Sequence, residues 1–360
     1  MAAAAAHYFR RMKAAVLYGR EDVRVEEIAP AALRPGEVRV GIGAALTCGT
    51  DLKVFKRGYH ARMIVPPAVF GHEFAGRILE VGEGVDDWQI GDRVVAANSA
   101  PCGACAYCRN GQENLCDDLL FLNGAYAESI VIPARVAQKN MLRLQPKTAY
   151  RDAALTEPLA CAVLGWEELQ ATPGRNVLVI GSGPIGLMFA ALARQSQCVV
   201  TLAGRGPRLP VAQKIGADHI IDMSGQTDLD GAVHRSGLGP FDLVVEAVGK
   251  PETWQAAVRC VRKGGQVNLF GGCPAGSQVA LETQLIHYSN LTLRSTFHHT
   301  PQAIRRALEL IEAGVVRAAD FVDGQCALED LPRLFHSMAT GNRAVKTLIL
   351  ASPNSSESPS

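Results

Sequence analysis

Four cysteines stand close together at Cys102, Cys105, Cys108 and Cys116, in the spacing C-x2-C-x2-C-x7-C. Two-residue gaps let successive thiolates turn back on one centre, and four sulfurs complete the closed tetrahedral shell of a structural zinc, which leaves no position open for chemistry. The segment 101–111 around them is rich in turn formers and poor in apolar residues, so ligation has to substitute for a hydrophobic core there. An iron-sulfur cluster also accepts four cysteines at short spacing, and a disulfide pair is a third use for them. Ten cysteines in 360 residues are too few and too scattered for a disulfide scaffold, and Cys161, Cys198, Cys260, Cys273 and Cys326 read as ordinary thiols in or near the core.

A second pattern carries different chemistry. The apolar run Val177-Leu178-Val179-Ile180 leads straight into Gly181-Ser182-Gly183-Pro184-Ile185-Gly186 and then into an apolar helical stretch. A GxGxxG between a strand and a helix is the dinucleotide fingerprint. Gly181 permits the tight turn, Gly183 lets backbone approach a pyrophosphate, and Gly186 allows close packing of helix on strand. Phe270 and Gly271, at the end of a later strand, join Gly181 to Gly186 as candidate cofactor contacts. Selectivity between dinucleotides is set roughly twenty residues past the fingerprint, where an acid usually holds the adenosine ribose hydroxyls. Between Glu168 and Asp218 there is no acidic residue, and the expected position reads Leu202-Ala203-Gly204-Arg205-Gly206-Pro207-Arg208. Arg205 on that turn suits a 2'-phosphate, and a charge-assisted hydrogen bond of roughly 1.5 to 3 kcal/mol favours NADP over NAD about ten- to a hundred-fold; the bland alternative is a pair of solvated arginines on a turn.

A second set of potential metal ligands lies in the first third of the chain, where Cys48-Gly49-Thr50-Asp51 follows a strand-like run and Gly71-His72-Glu73 precedes Phe74-Ala75-Gly76. The run from Gly71 to Val85 resembles the zinc signature of the medium-chain alcohol dehydrogenases. The likeness covers about residues 12–350 and takes in the Cys-Gly-Thr-Asp, Gly91-Asp92-Arg93-Val94, the four-cysteine lobe, Glu157-Pro158-Leu159-Ala160 and the fingerprint. Within that family it is similar to the polyol (sorbitol-type) and threonine dehydrogenases, which carry an acid where liver-type enzymes carry a third cysteine.

The resemblance implies two zinc ions per chain, one structural on the four cysteines and one catalytic on Cys48, His72 and Glu157. Glu73 would sit beside the catalytic ion as an outer group or an exchanging ligand, and Cys161, one helical turn past Glu157, is a rival. It implies hydride transfer between a secondary alcohol and NAD(P), with Thr50 taking the alcohol proton. Lys53 stands where many relatives place a relay histidine, and His298 and His299 fall in the stretch that approaches the nicotinamide. Two surface histidines capping the helix after Pro301 would look the same, so the pair has no assigned role. Polyols, sugars and cyclitols are the expected substrates; L-threonine, a simple secondary alcohol or carbonyl reduction are alternatives, and a non-catalytic NADP-binding protein is a further one. A homodimer or homotetramer is expected.

These residues need elements to hold them. With 48% apolar and 20% charged residues and a net charge of +1, the chain has the composition of a globular protein without a basic face for nucleic acid. Its most apolar stretch, 177–193, is broken by glycines and a proline, which speaks against a membrane span. The start, Met1 and five alanines before His7, lacks the order of a secretory signal, so a cytoplasmic location is expected. Short apolar runs ending in Gly, Pro or Asp over 12–151 predict a β-rich, barrel-like region, which the resemblance implies is a GroES-like catalytic domain, rejoined by 290–350 and carrying the cysteine lobe at about 98–118. From 152 to 289, strands at 176–180, 198–202, 219–221, 242–246 and 265–270 alternate with helices, one of them expected to start at Pro158. That alternation predicts a Rossmann-type, doubly wound parallel sheet, making the whole an α/β protein. Residues 1–11 and 351–360 read as a disordered extension and tail.

Overall fold

The computed structural model describes residues 11–60, 62–341 and 344–351. Most of the expected extension and tail therefore lies outside the described residues. At their edges the expectation is corrected, because Arg11 donates to the Glu27 carbonyl and Ala351 is buried in the core.

Six parallel strands run in the order His219–Asp222, Val199–Gly204, Asn176–Ile180, Phe241–Glu246, Val261–Leu269, Thr292–Arg294. The sheet order reverses beside Asn176–Ile180, so the fingerprint turn sits at the topological switch where dinucleotides bind. The sixth strand, Thr292–Arg294, pairs with Val261–Leu269 and carries the sheet past the expected boundary at 289. Only three residues long, it was too short to show a period of its own. Both faces of the sheet are covered, and its strands are accordingly near-continuous in Val, Leu and Ile.

Outside this sheet, a mixed sheet is ordered Met141–Arg143, Arg93–Ala96, Glu73–Val81, Val38–Leu46, Lys346–Leu350, Val322–Ala327, with Ser129–Ile132 also on Val38–Leu46, and Asp22–Ile28, Met12–Gly19 and Ala68–Val69 form a further three-stranded sheet. The strand Lys346–Leu350 lies antiparallel on Val38–Leu46, which brings this late strand beside the first metal-ligand motif.

Two helices tie the units together. Thr156–Glu167 packs against Pro301–Glu312 and Pro184–Gln195, sharing one core with Leu46 and Ala75 of the mixed sheet. It begins two residues before Pro158, contrary to the expected start. The first-turn N–H groups of a helix have no internal partner, so proline is tolerated beyond the first position and does not mark it. Pro301–Glu312 buries Ala303, Ile304, Ala307, Leu308 and Ile311, an i, i+3, i+4 stripe, and Thr300 caps it by accepting from the Ala303 N–H.

Candidate active site and metal centres

The four-cysteine lobe grows from a two-stranded ladder, Ser99–Ala100 against Leu120–Phe121. Between these strands Cys102, Cys105, Cys108 and Cys116 bring their sulfurs within 4.8 Å of one another, all as free thiols. Sulfur separations of 3.5 Å for Cys105–Cys108 and 3.9 Å for Cys102–Cys108 and Cys105–Cys116 approximate the edge, about 3.8 Å, of a tetrahedron with Zn–S bonds of about 2.3 Å. Backbone N–H groups of Ala104 and Cys105 point at Cys102 Sγ and lower its pKa to about 6, while burial pushes the Cys108 thiol up to about 12, so binding an ion by all four would release protons. The donor set fits zinc.

The second centre is assembled from two separate segments, and Glu157 falls in a neighbouring group with His298 and His299. Cys48 caps the helix Gly49–Arg57, its sulfur accepting from the Thr50 N–H, while Glu73 opens the strand Glu73–Val81 and His72 stands just before it. Ligand atoms of Cys48, His72 and Glu73 lie within 4.8 Å of one another. Gly71 has φ +95°, and a Cβ there would meet the Tyr126 ring at 2.6 Å, so only glycine lets that ring close over the turn. Tyr126 uses the approach to donate to Asp51 Oδ2 (2.6 Å), and Asp51 Oδ1 lies 2.9 Å from His72 Nδ1. With Nδ1 engaged by a buried carboxylate, His72 Nε2 is the nitrogen left to offer a lone pair, the arrangement that orients metal-binding imidazoles. Burial works against a charged His72, but Asp51 and Cys48 outweigh it and raise its pKa well above the ordinary value, so an ion binding at Nε2 would displace a proton.

The two acids have different surroundings. Glu73 is fully buried and both its oxygens accept from Lys346 Nζ, at 2.7 and 2.5 Å, while the same ammonium donates to the Thr47 carbonyl at 3.0 Å. Burial alone would depress the pKa of Lys346; the Glu73 carboxylate reverses this and raises it, keeping the lysine charged. Glu157, in the first turn of Thr156–Glu167, has no such partner in its cluster: Cys161 Sγ and His299 Nε2 each lie 3.9 Å from its Oε1. Burial raises Glu157 to about 7, with His72 opposing and Glu73 adding to the rise. Burial likewise holds Cys161 well above the ordinary thiol range, so Cys161 is a protonated neighbour of the acid.

His298 and His299 are not surface caps. His299 is 2% exposed, and its group with Glu157 and His298 has ligand atoms within 4.8 Å of one another. Their rings stack at 3.9 Å; burial lowers His298 to about 3 and His299 well below its ordinary value, leaving both neutral. The helix cap is supplied by Thr300 and not by either histidine.

At the dinucleotide turn Gly181 has φ +117°, and a Cβ on Gly186 would fall 1.9 Å from the Gly181 carbonyl oxygen. By contrast, a Cβ on Gly183 would approach only Arg208 Nη1, at 4.0 Å, so this face of the turn is open to an anion. Pro184 follows at the first position of Pro184–Gln195, whose N-terminus points its free N–H groups the same way. Ser182 Oγ donates to the Arg205 carbonyl (3.1 Å), setting the turn on which exposed Arg205 stands. Phe270 is turned inward, its ring 5.0 Å from that of Phe189, while Gly271 lies against Gly249 and Glu246 at the strand end.

Known proteins show the same organisation. Residues 34–141 match the family model of the alcohol dehydrogenase GroES-like domain, and residues 184–313 that of the zinc-binding dehydrogenases. The chain is 31% identical to the L-idonate 5-dehydrogenase of Vitis vinifera over 349 residues, 93% of each. It belongs to the zinc-binding alcohol dehydrogenase family. The sorbitol dehydrogenase of Bacillus subtilis is 29% identical over 328 residues, 89% of this chain and 91% of that one. Among solved structures, a zinc-binding dehydrogenase from Sinorhizobium meliloti bound to NADP superposes with a TM-score of 0.85 at 28% identity, covering 95% of this chain and 99% of that one. The alcohol dehydrogenase of Thermus sp. ATN1 gives 0.83 at 30%, covering 94% and 99%.

This dehydrogenase is thus a zinc- and NAD(P)-dependent oxidoreductase built from a GroES-like and a Rossmann-type unit. Several residues that shape its cleft carried no signal in the sequence. Lys346, Tyr126, Asn98 and Ser99 act through partners far along the chain; Asp51 stood inside the Cys-Gly-Thr-Asp motif without a role. No helix among the described residues is long and apolar enough to cross a membrane.

Proposed function

We propose that this dehydrogenase interconverts a hydroxyl-rich secondary alcohol, of the polyol, sugar or cyclitol type, and its ketone, with NADP favoured over NAD. The observation that carries the reading is the division of labour between the acids. Glu73 lies with Cys48 and His72, but Lys346 occupies both its oxygens; Glu157, grouped instead with His298 and His299, is the carboxylate we assign to join the Cys48 thiolate and His72 Nε2 on the ion. Thiolate, imidazole and carboxylate leave one position of a tetrahedron for substrate. Zinc held by these three would act as a Lewis acid on the substrate hydroxyl, and the bound nicotinamide would take up the hydride. The chain's own part is positional. Asp51 and Tyr126 fix the His72 ring, the Thr50 hydroxyl accepts the alcohol proton while passing its own outward to solvent, and the open face at Gly183 receives the pyrophosphate. Arg205, in a stretch without acids, receives the 2'-phosphate.

The polar groups of His298 and His299 beside Glu157, with Asn98 and Ser99 on them, suit a substrate with several hydroxyls better than a long apolar one. The sorbitol and L-idonate dehydrogenase relatives support that class; L-threonine 3-dehydrogenase of Pyrococcus abyssi, 30% identical over 312 residues, keeps L-threonine as the second reading. A cytoplasmic homodimer or homotetramer is the proposed working form. A panel of polyols, cyclitols, L-threonine and simple secondary alcohols, each with NADP and NAD and followed at the reduced-nicotinamide absorbance, tests the reading. Turnover of polyols or cyclitols with NADP is expected; turnover of L-threonine or simple alcohols alone would replace the substrate class.

A further inference from the structure

The four-cysteine lobe touches the cleft at three consecutive residues. Asn98, which leads into its ladder, has Oδ1 2.9 Å from His299 Nε2. Ser99 Oγ lies 2.6 Å from His298 Nε2, and the Phe121 ring, opposite Ser99 in the ladder, is 5.5 Å from the His298 ring. The third contact comes from within the lobe: Asn114 Nδ2 donates to the Phe297 carbonyl at 2.9 Å. His298 sits at φ +64°, a conformation that a residue with a Cβ adopts only when its surroundings hold it.

From these contacts we propose that Asn114 is a positioning residue for the reaction, tethering the Phe297–His299 loop against Glu157. The Asn114 side chain is placed by the sulfur cluster. It lies in the short helical turn Glu113–Leu115, which ends at Cys116, and the Cys116 sulfur accepts from the Cys102 N–H at 3.2 Å. Thiolates gathered on one ion would therefore fix the donor that fixes the loop. On this reading the lobe is coupled to the alcohol site, although none of its cysteines reaches the substrate. The inference rests on the proposed function, in which Glu157 and the two histidines line that site.

The test compares wild type with Asn114→Ala and with Asn114→Asp, which keeps the size of the side chain and loses the donor. Three quantities are read on each zinc-replete protein: amide hydrogen exchange of the peptide spanning 297–300, zinc per chain, and kcat/KM for the best alcohol of the panel. Both variants should keep wild-type zinc, exchange faster in that peptide, and lose roughly three- to tenfold in kcat/KM, the range of one neutral hydrogen bond. Exchange at the wild-type rate would overturn the tether. Faster exchange with unchanged kcat/KM would overturn its role in the reaction, and a fall in zinc with unchanged kcat/KM per zinc-loaded enzyme would reduce Asn114 to a support of the lobe. A wild-type enzyme that turns over no alcohol would instead count against the proposed function, a failure separable from the tether because exchange needs no substrate.

Discussion

Replacing Lys346 by methionine should damage this protein more than any surface change, for a reason visible in one contact. The Lys346 side chain is 2% exposed and Glu73 is fully buried, and the ammonium spans both carboxylate oxygens and the Thr47 carbonyl. Methionine fills much of the volume but leaves Glu73 as an unpaired carboxyl in the core, which costs about 3 to 5 kcal/mol. For a cooperative unit of 150 to 250 residues each kcal/mol moves Tm by about 2 to 4 °C, so Lys346→Met should melt roughly 6 to 20 °C below wild type in scanning calorimetry. Adding Glu73→Met removes the orphaned charge, and the double variant should recover most of the loss, because a buried pair exchanged for apolar side chains of similar size is close to neutral. It should also keep its full zinc content, since Glu157 rather than Glu73 is assigned to the metal. A single variant melting within about 2 °C of wild type, or a double variant no more stable than the single one, would refute the reasoning.

Three further outcomes follow from other contacts. Arg205→Ala should lower the ratio of kcat/KM for NADP to that for NAD by about tenfold, the low end of a charge-assisted hydrogen bond, because Arg205 is exposed and screened by water; steady-state kinetics with both cofactors measure it. Cys105→Ser should release one zinc per chain and lower Tm, while the Kd for NADP, set in the other unit, stays put by fluorescence titration. Asp242→Asn tests a pH dependence. Burial alone would raise the pKa of Asp242, but the Asn176 N–H, Arg262 and Arg175 outweigh it and lower it. A carboxylate with a lowered folded-state pKa contributes stability above its unfolded pKa of about 3.9 and loses it as pH falls through the folded value. Asp242→Asn should thus melt below wild type near neutrality, and the gap should close at acid pH in a Tm series.

What could be read from the sequence depended on how far apart the cooperating residues stand. Cys102 to Cys116 and Gly181 to Gly186 each complete their geometry within a few residues, so spacing alone reported a metal lobe and a dinucleotide turn. Cys48, His72 and Glu157 come from three segments and became a set only through the likeness to known dehydrogenases. The Lys346 and Glu73 pair is separated by 273 positions and was invisible, because a buried lysine differs from a solvated one only by its tertiary surroundings. The same blindness left His298 and His299 without a role: the stretch is polar, and nothing local says that Asn98 and Ser99 fold back to cover it. Thr292–Arg294 escaped for a different reason, since three residues cannot display a strand's alternation.

The most direct test of the account is zinc per chain, measured by plasma mass spectrometry, in wild type and in Cys48→Ser. Two ions should be found in wild type and one in Cys48→Ser, which should retain the lobe zinc and lose turnover. One ion in wild type, or two in a Cys48→Ser enzyme that still oxidises its alcohol, would contradict a catalytic zinc held by Cys48, His72 and Glu157.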